Sequence, residues 1–78
     1  MVHILVLEDD KQLNQIVCTY LRDNGFSATG CHRAQEAYDA LYEGLYDLII
    51  SDIMLPEVDG FAFAQSIRQV NRHIPILF

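Results

Sequence analysis

The chain has 78 residues, room for at most one small domain, and 51% of them are hydrophobic, which excludes disorder by composition. Its formal net charge is −6 with five Lys and Arg in all, a balance that argues against holding nucleic acid through phosphate contacts. The longest apolar runs are far too short to span a bilayer, and HILVL is too short and lacks the basic flank of a signal peptide, so a cytoplasmic protein with Cys18 and Cys31 as reduced thiols is expected.

The elements alternate along the chain. His3 to Leu7 is a continuous apolar run, the pattern of a strand buried on both faces. From Lys11 to Asn24, Leu13, Ile16, Val17, Tyr20 and Leu21 recur at helical spacing and predict one apolar stripe, with Cys18 at its edge. Gly25 after Asn24 is free to take the left-handed cap conformation. Phe26 to Cys31 predicts a shorter, more polar strand suited to a sheet edge. Ala34, Ala37, Tyr38 and Leu41 predict a second helix that stops near Gly44. Tyr46 to Ser51 predicts another buried strand, and the LPEVDG loop follows. Phe61, Ala64, Ile67 and Val70 predict a third helix, and Ile74 to Phe78 a fourth strand. This βαβαβαβ order implies a mainly parallel α/β sheet.

Two of these strands end on acids. Glu8, Asp9 and Asp10 follow the first, and Asp52 follows the third. Ligands of such sheets bind at the carboxyl ends of the strands. If those two strands are neighbours, about 4.8 Å separates their backbones, and Glu8, Asp9 and Asp52 share one pocket. Carboxylates so close must either take up protons or hold a cation. Hard oxygen ligands with no His or Cys nearby suit Mg²⁺, which typically partners a phosphoryl group. A carboxylate can attack such a group and form an acyl phosphate. The plainer reading is a solvated turn, with Asp10 capping the first helix.

ILVLEDD, then DLIISDIMLPEVDGF, then IPILF make the whole chain resemble the receiver domain of two-component response regulators. The resemblance implies a flavodoxin-like, doubly wound parallel sheet of strand order 2-1-3-4-5. Residues 1–78 would supply a truncated version, order 2-1-3-4, lacking the fourth helix and the last βα unit. It also assigns roles. Asp52 matches the phosphoryl acceptor, and Glu8 and Asp9 match the acidic pair that positions Mg²⁺. Met54 matches the residue whose backbone carbonyl completes the metal site. Pro56 and Gly60 complete the D-x-x-x-P-x-x-x-G spacing, and Asp59 caps the third helix. The implied partner is a sensor histidine kinase, docking near the first helix. Leu13, Asn14 and Val17 are candidate contacts, although core packing is favoured for Leu13 and Val17. Glu8 in LEDD resembles the subclass with a winged-helix DNA-binding effector.

The family pattern also has a Thr or Ser after the fourth strand and a Lys after the fifth. Neither lies within these residues, since the only lysine is Lys11. Weak or absent phosphorylation of this chain, with an active longer parent, is therefore expected. So is self-association through an uncovered fourth strand. Three alternatives compete. An aspartate-nucleophile phosphohydrolase needs a second Asp where Met54 stands. A pseudo-receiver acting only as an interaction module would not need the complete acid set. Dinucleotide binding lacks its G-x-G-x-x-G. The four tyrosines are expected to be half-buried packing residues.

Overall fold

The computed structural model describes residues 1–51, 60–70 and 74–78. Seven elements follow in chain order: β1 (His3–Leu7), α1 (Lys11–Asp23), β2 (Ser27–Cys31), α2 (Ala34–Glu43), β3 (Leu48–Ser51), α3 (Gly60–Val70) and β4 (Ile76–Leu77). The strands form one sheet of order β2-β1-β3-β4, with every pair parallel. The expected α/β alternation and strand order are both present. The third and fourth strands are shorter than their apolar runs, beginning at Leu48 and Ile76.

Strand periodicity sorts β1 onto two cores. Leu5 and Leu7 face one side, with Cys31, Ala34, Ala37, Ile49, Ile67 and Ile74. Ile4 and Val6 face the other, with Cys18 and Ala28 buried and Val17, Leu21, Leu48 and Ile50 packed against them. α2 and α3 therefore supply the cover on the first face and α1 on the second. A strand apolar at every position is what such a two-sided burial requires.

Local signals set the ends of α1. The Asp10 carboxylate accepts the backbone N–H groups of Gln12 and Leu13 at 3.0 and 3.1 Å, satisfying two donors that the first turn leaves over. At the other end Gly25 has φ +89°, and Phe26 N–H reaches back to the Leu21 carbonyl at 3.1 Å. That is the expected left-handed glycine stop. At α2 the Glu36 carboxylate accepts the His32 amide at 3.2 Å.

The packing face of α1 is not the one the apolar spacing predicts. Asn14 and Cys18 are its buried residues, each 3% exposed, with Val17 and Leu21 beside them. Leu13, Ile16 and Tyr20 form a solvent-facing ridge at 45%, 62% and 67% exposure. At about 100° per residue, positions 13, 16 and 20 lie on a flank of the 14–17–18–21 face. The sheet is wide enough to cover only that face, so Cys18 sits at its centre and Leu13 outside it. Two tyrosines depart in the same way: Tyr20 and Tyr42 are exposed, whereas Tyr38 and Tyr46 pack on the α2 side.

Candidate functional site

β1 lies between β2 and β3, and the paired registers end together, with Leu7 opposite both Cys31 and Ser51. Glu8 leaves the sheet at that point, its N–H donating to the Cys31 carbonyl at 3.0 Å. The next residue of β3's chain is Asp52. β1 and β3 are neighbours, and the register brings the last residues before both acid groups side by side. Asp52, Met54, Pro56 and Asp59 themselves lie outside the described residues.

The three acids after β1 are not equivalent. Asp10 is committed to the N-terminus of α1 through the two bonds above. One Glu8 carboxylate oxygen accepts the Asp10 amide at 3.0 Å, which orients that side chain over the turn. Asp9 is exposed between them. Glu8 and Asp9 remain as a hard-oxygen pair at the carboxyl end of the central strand. The donor chemistry of this pair fits Mg²⁺, which takes one or two protein carboxylates and keeps several waters.

Asn14 is the residue of this region that sequence reasoning misplaced. It is buried, so it offers no docking surface. Its Nδ2 donates to the Glu8 carbonyl at 3.1 Å and to the Cys31 carbonyl at 2.8 Å. Its Oδ1 accepts the Cys18 thiol at 3.4 Å. The side chain lies over Gly30, where a Cβ would collide with Oδ1. Position 14 falls one turn after the Asp10 cap, on the face shared with Val17, Cys18 and Leu21. That spacing is a usable signal, but a polar residue reads as solvent-facing.

The two cysteines are free and buried, and they belong to opposite faces of the sheet. Burial raises the Cys18 thiol pKa, against a smaller lowering by Arg22. Burial, with Glu36 and Cys18 adding to it, pushes the Cys31 thiol up to about 11 from 9.0. Folding therefore favours the protonated Cys31. Its contribution is complete below the unfolded value of 9.0 and is lost as pH rises towards about 11. The expected result is a thermal midpoint that falls across this window, with a shallower fall in Cys31→Ala. A pH series of melting curves with identical slopes for the two proteins would contradict it.

A cavity of about 490 Å³ lined by Tyr38, Leu41, Tyr42, Leu45, Tyr46 and Ile67 lies near the opposite end, where the chain enters β3. Among the described residues its lining carries no carboxylate. Among the described residues, no helix is long and apolar enough to cross a membrane.

Comparison with known proteins agrees with the fold. The transcriptional regulatory protein RprY of Bacteroides fragilis is 38% identical over 77 residues, covering 99% of this chain and 33% of RprY. The chain thus spans about a third of the length of the curated relatives it matches. The response regulator TrrA of Thermotoga maritima, solved in complex with Mg²⁺-BeF, superposes with a TM-score of 0.90 at 29% identity, covering 97% of this chain and 66% of TrrA. TrrA has also been solved in complex with the histidine kinase ThkA, with the same TM-score and coverage. A family model of the response regulator receiver domain matches residues 4–78. This chain therefore belongs to the response regulator receiver domain family.

Proposed function

We propose that the chain is the phosphoacceptor module of a two-component response regulator, taking a phosphoryl group from a sensor histidine kinase onto Asp52. The observation that carries this reading is the common end of β1 and β3, which brings the Glu8–Asp9 pair next to the chain position preceding Asp52. Glu8, Asp9, Asp52 and the Met54 carbonyl would hold Mg²⁺. When bound, the ion offsets the negative charge of the phosphoryl oxygens, which is most of what phosphoryl transfer requires.

The chemistry of the chain's own residues is short. An Asp52 carboxylate oxygen attacks phosphorus, and the bond from phosphorus to the donor's imidazole nitrogen breaks. The imidazole takes up a proton, and Asp52 carries an acyl phosphate. No acid within the chain needs to protonate a poor leaving group, so Met54 is compatible with a phosphoacceptor and unsuited to a hydrolase. The exposed Leu13–Ile16–Tyr20 ridge on α1 is an apolar surface beside the acids that can receive the kinase. Its place next to the Asp10 turn keeps a docked donor close to the carboxyl ends of β1 and β3. RprY is named a transcriptional regulatory protein, and control of transcription from the cytoplasm is the role that goes with this reading. Exposed Leu77 and Phe78 provide a patch for self-association.

The test uses this 78-residue chain with Mg²⁺ and a small acyl phosphate, read by intact mass. A gain of one phosphoryl group, abolished by a chelator, is expected. A gain that persists without Mg²⁺ would sink the metal assignment. Transfer from a kinase, but not from the small donor, should weaken in Ile16→Asp. Light scattering that shows only monomer at high concentration would remove the self-association.

A further inference from the structure

We propose that Asn14 is a positioning residue for the acidic pair, tying the ends of β1 and β2 to α1, and that Gly30 provides the space it occupies. The inference rests on the Mg²⁺ reading of Glu8 and Asp9. Three observations carry it. The Asn14 carboxamide bridges the carbonyls of Glu8 and Cys31, the last points at which the chain is held before the acids diverge. The Cys31 carbonyl also accepts the Glu8 amide, so one oxygen of β2 holds both the strand end and the helix. The Asn14 backbone N–H closes the first turn of α1 on the Asp10 carbonyl at 2.9 Å, so the cap, the turn and the carboxamide form one closed unit.

The chemistry of Asn suits this place. An amide has two N–H donors for two carbonyls and one acceptor for the Cys18 thiol. A Leu of similar size has no donor, and the buried carbonyls would turn towards water. Glu8 would then lose the backbone anchor from which its carboxylate projects. Gly30 pairs with Val6 in the β1–β2 register, one residue before Leu7 and Cys31. Any side chain there would push Asn14 off its partners. The two residues therefore act as one device, and a change in either should loosen the same turn. Groups that orient ligands from behind in this way typically change metal affinity about 10- to 100-fold when removed.

Asn14→Leu and Gly30→Ala test the proposal in the 78-residue chain, with Val17→Ala as a packing control on the same helix face. Mg²⁺ affinity is read by calorimetry and the Glu8 amide by hydrogen exchange in the absence of metal. Both Asn14→Leu and Gly30→Ala should weaken Mg²⁺ binding about 10-fold and speed exchange at Glu8. Val17→Ala should lower the melting temperature without either effect. Wild-type affinity and wild-type exchange in a folded Asn14→Leu would overturn the inference, as would equal losses in Val17→Ala. Should Asn14→Leu not fold, Gly30→Ala decides in the same terms. If the unaltered chain binds no Mg²⁺, the metal reading fails, and exchange at Glu8 still decides whether Asn14 holds the turn.

Discussion

Asp52→Ala is expected to abolish the Mg²⁺-dependent gain of a phosphoryl group from an acyl phosphate. The reason is chemical and needs no estimate of packing. An acyl phosphate requires a carboxylate oxygen as nucleophile, and alanine has none. Asp52→Asn should behave alike, because its amide oxygen is a poor nucleophile while its size and hydrogen-bonding capacity are nearly kept. The pair separates loss of the nucleophile from loss of shape. Asp9→Ala should leave the nucleophile and remove one charged ligand, so Mg²⁺ binding weakens and the rate falls on the order of 100-fold. Asp10→Ala gives the contrast within the same acidic run. Its carboxylate caps α1, so it should cost about 1 kcal/mol of stability and leave the chemistry in place. Intact mass and peptide mapping check all four. A phosphoryl group recovered on Asp52→Ala at the wild-type rate would move the acceptor elsewhere, with Glu8 and Asp9 the first residues to map.

Leu5→Ala should be the most damaging of the core substitutions. Leu5 is 0% exposed, at the centre of the face shared with Leu7, Ala37, Ile49 and Ile67. Large-to-small changes at such sites cost about 2–5 kcal/mol, because the cavity collapses only in part. A domain of this size has little in reserve, and each kcal/mol shifts its melting temperature by about 4–8 °C. The expected outcome is a midpoint lowered by at least about 10 °C, or no cooperative transition at all. Ile16→Ala removes a comparable apolar side chain from the exposed ridge of α1 and should change stability by less than about 0.5 kcal/mol. Circular dichroism melts of the two variants make the comparison. Equal losses would mean that Ile16 is covered in solution, by a second copy or by some other contact.

The contrast between Leu5 and Ile16 shows what patterning conveys and what it omits. Apolar runs, helical spacing and acids at the strand ends specify the element order, because burial on two faces and on one face leave different periodicities. They also specify the edge position of β2 and the Asp10 cap of α1, since an acid just before a helix is the natural N-cap. Only the assembled sheet decided which flank of α1 faces inward. Leu13, Ile16 and Tyr20 have the hydrophobicity of a core stripe, but the sheet accepts the neighbouring face. The role of Asn14 was likewise invisible in the chain. Its Nδ2 donates to two backbone carbonyls, one of them 17 residues away, and carbonyls leave no mark in a sequence. The space it occupies exists because residue 30 has no Cβ, and residues 14 and 30 meet only once β1 and β2 pair under α1. The sequence alone determined the order of the elements and the residues that carry charge to the strand ends, because both depend on local spacing. Which side chains hold those ends in place was decided by tertiary structure, because it depends on backbone groups brought together from distant parts of the chain.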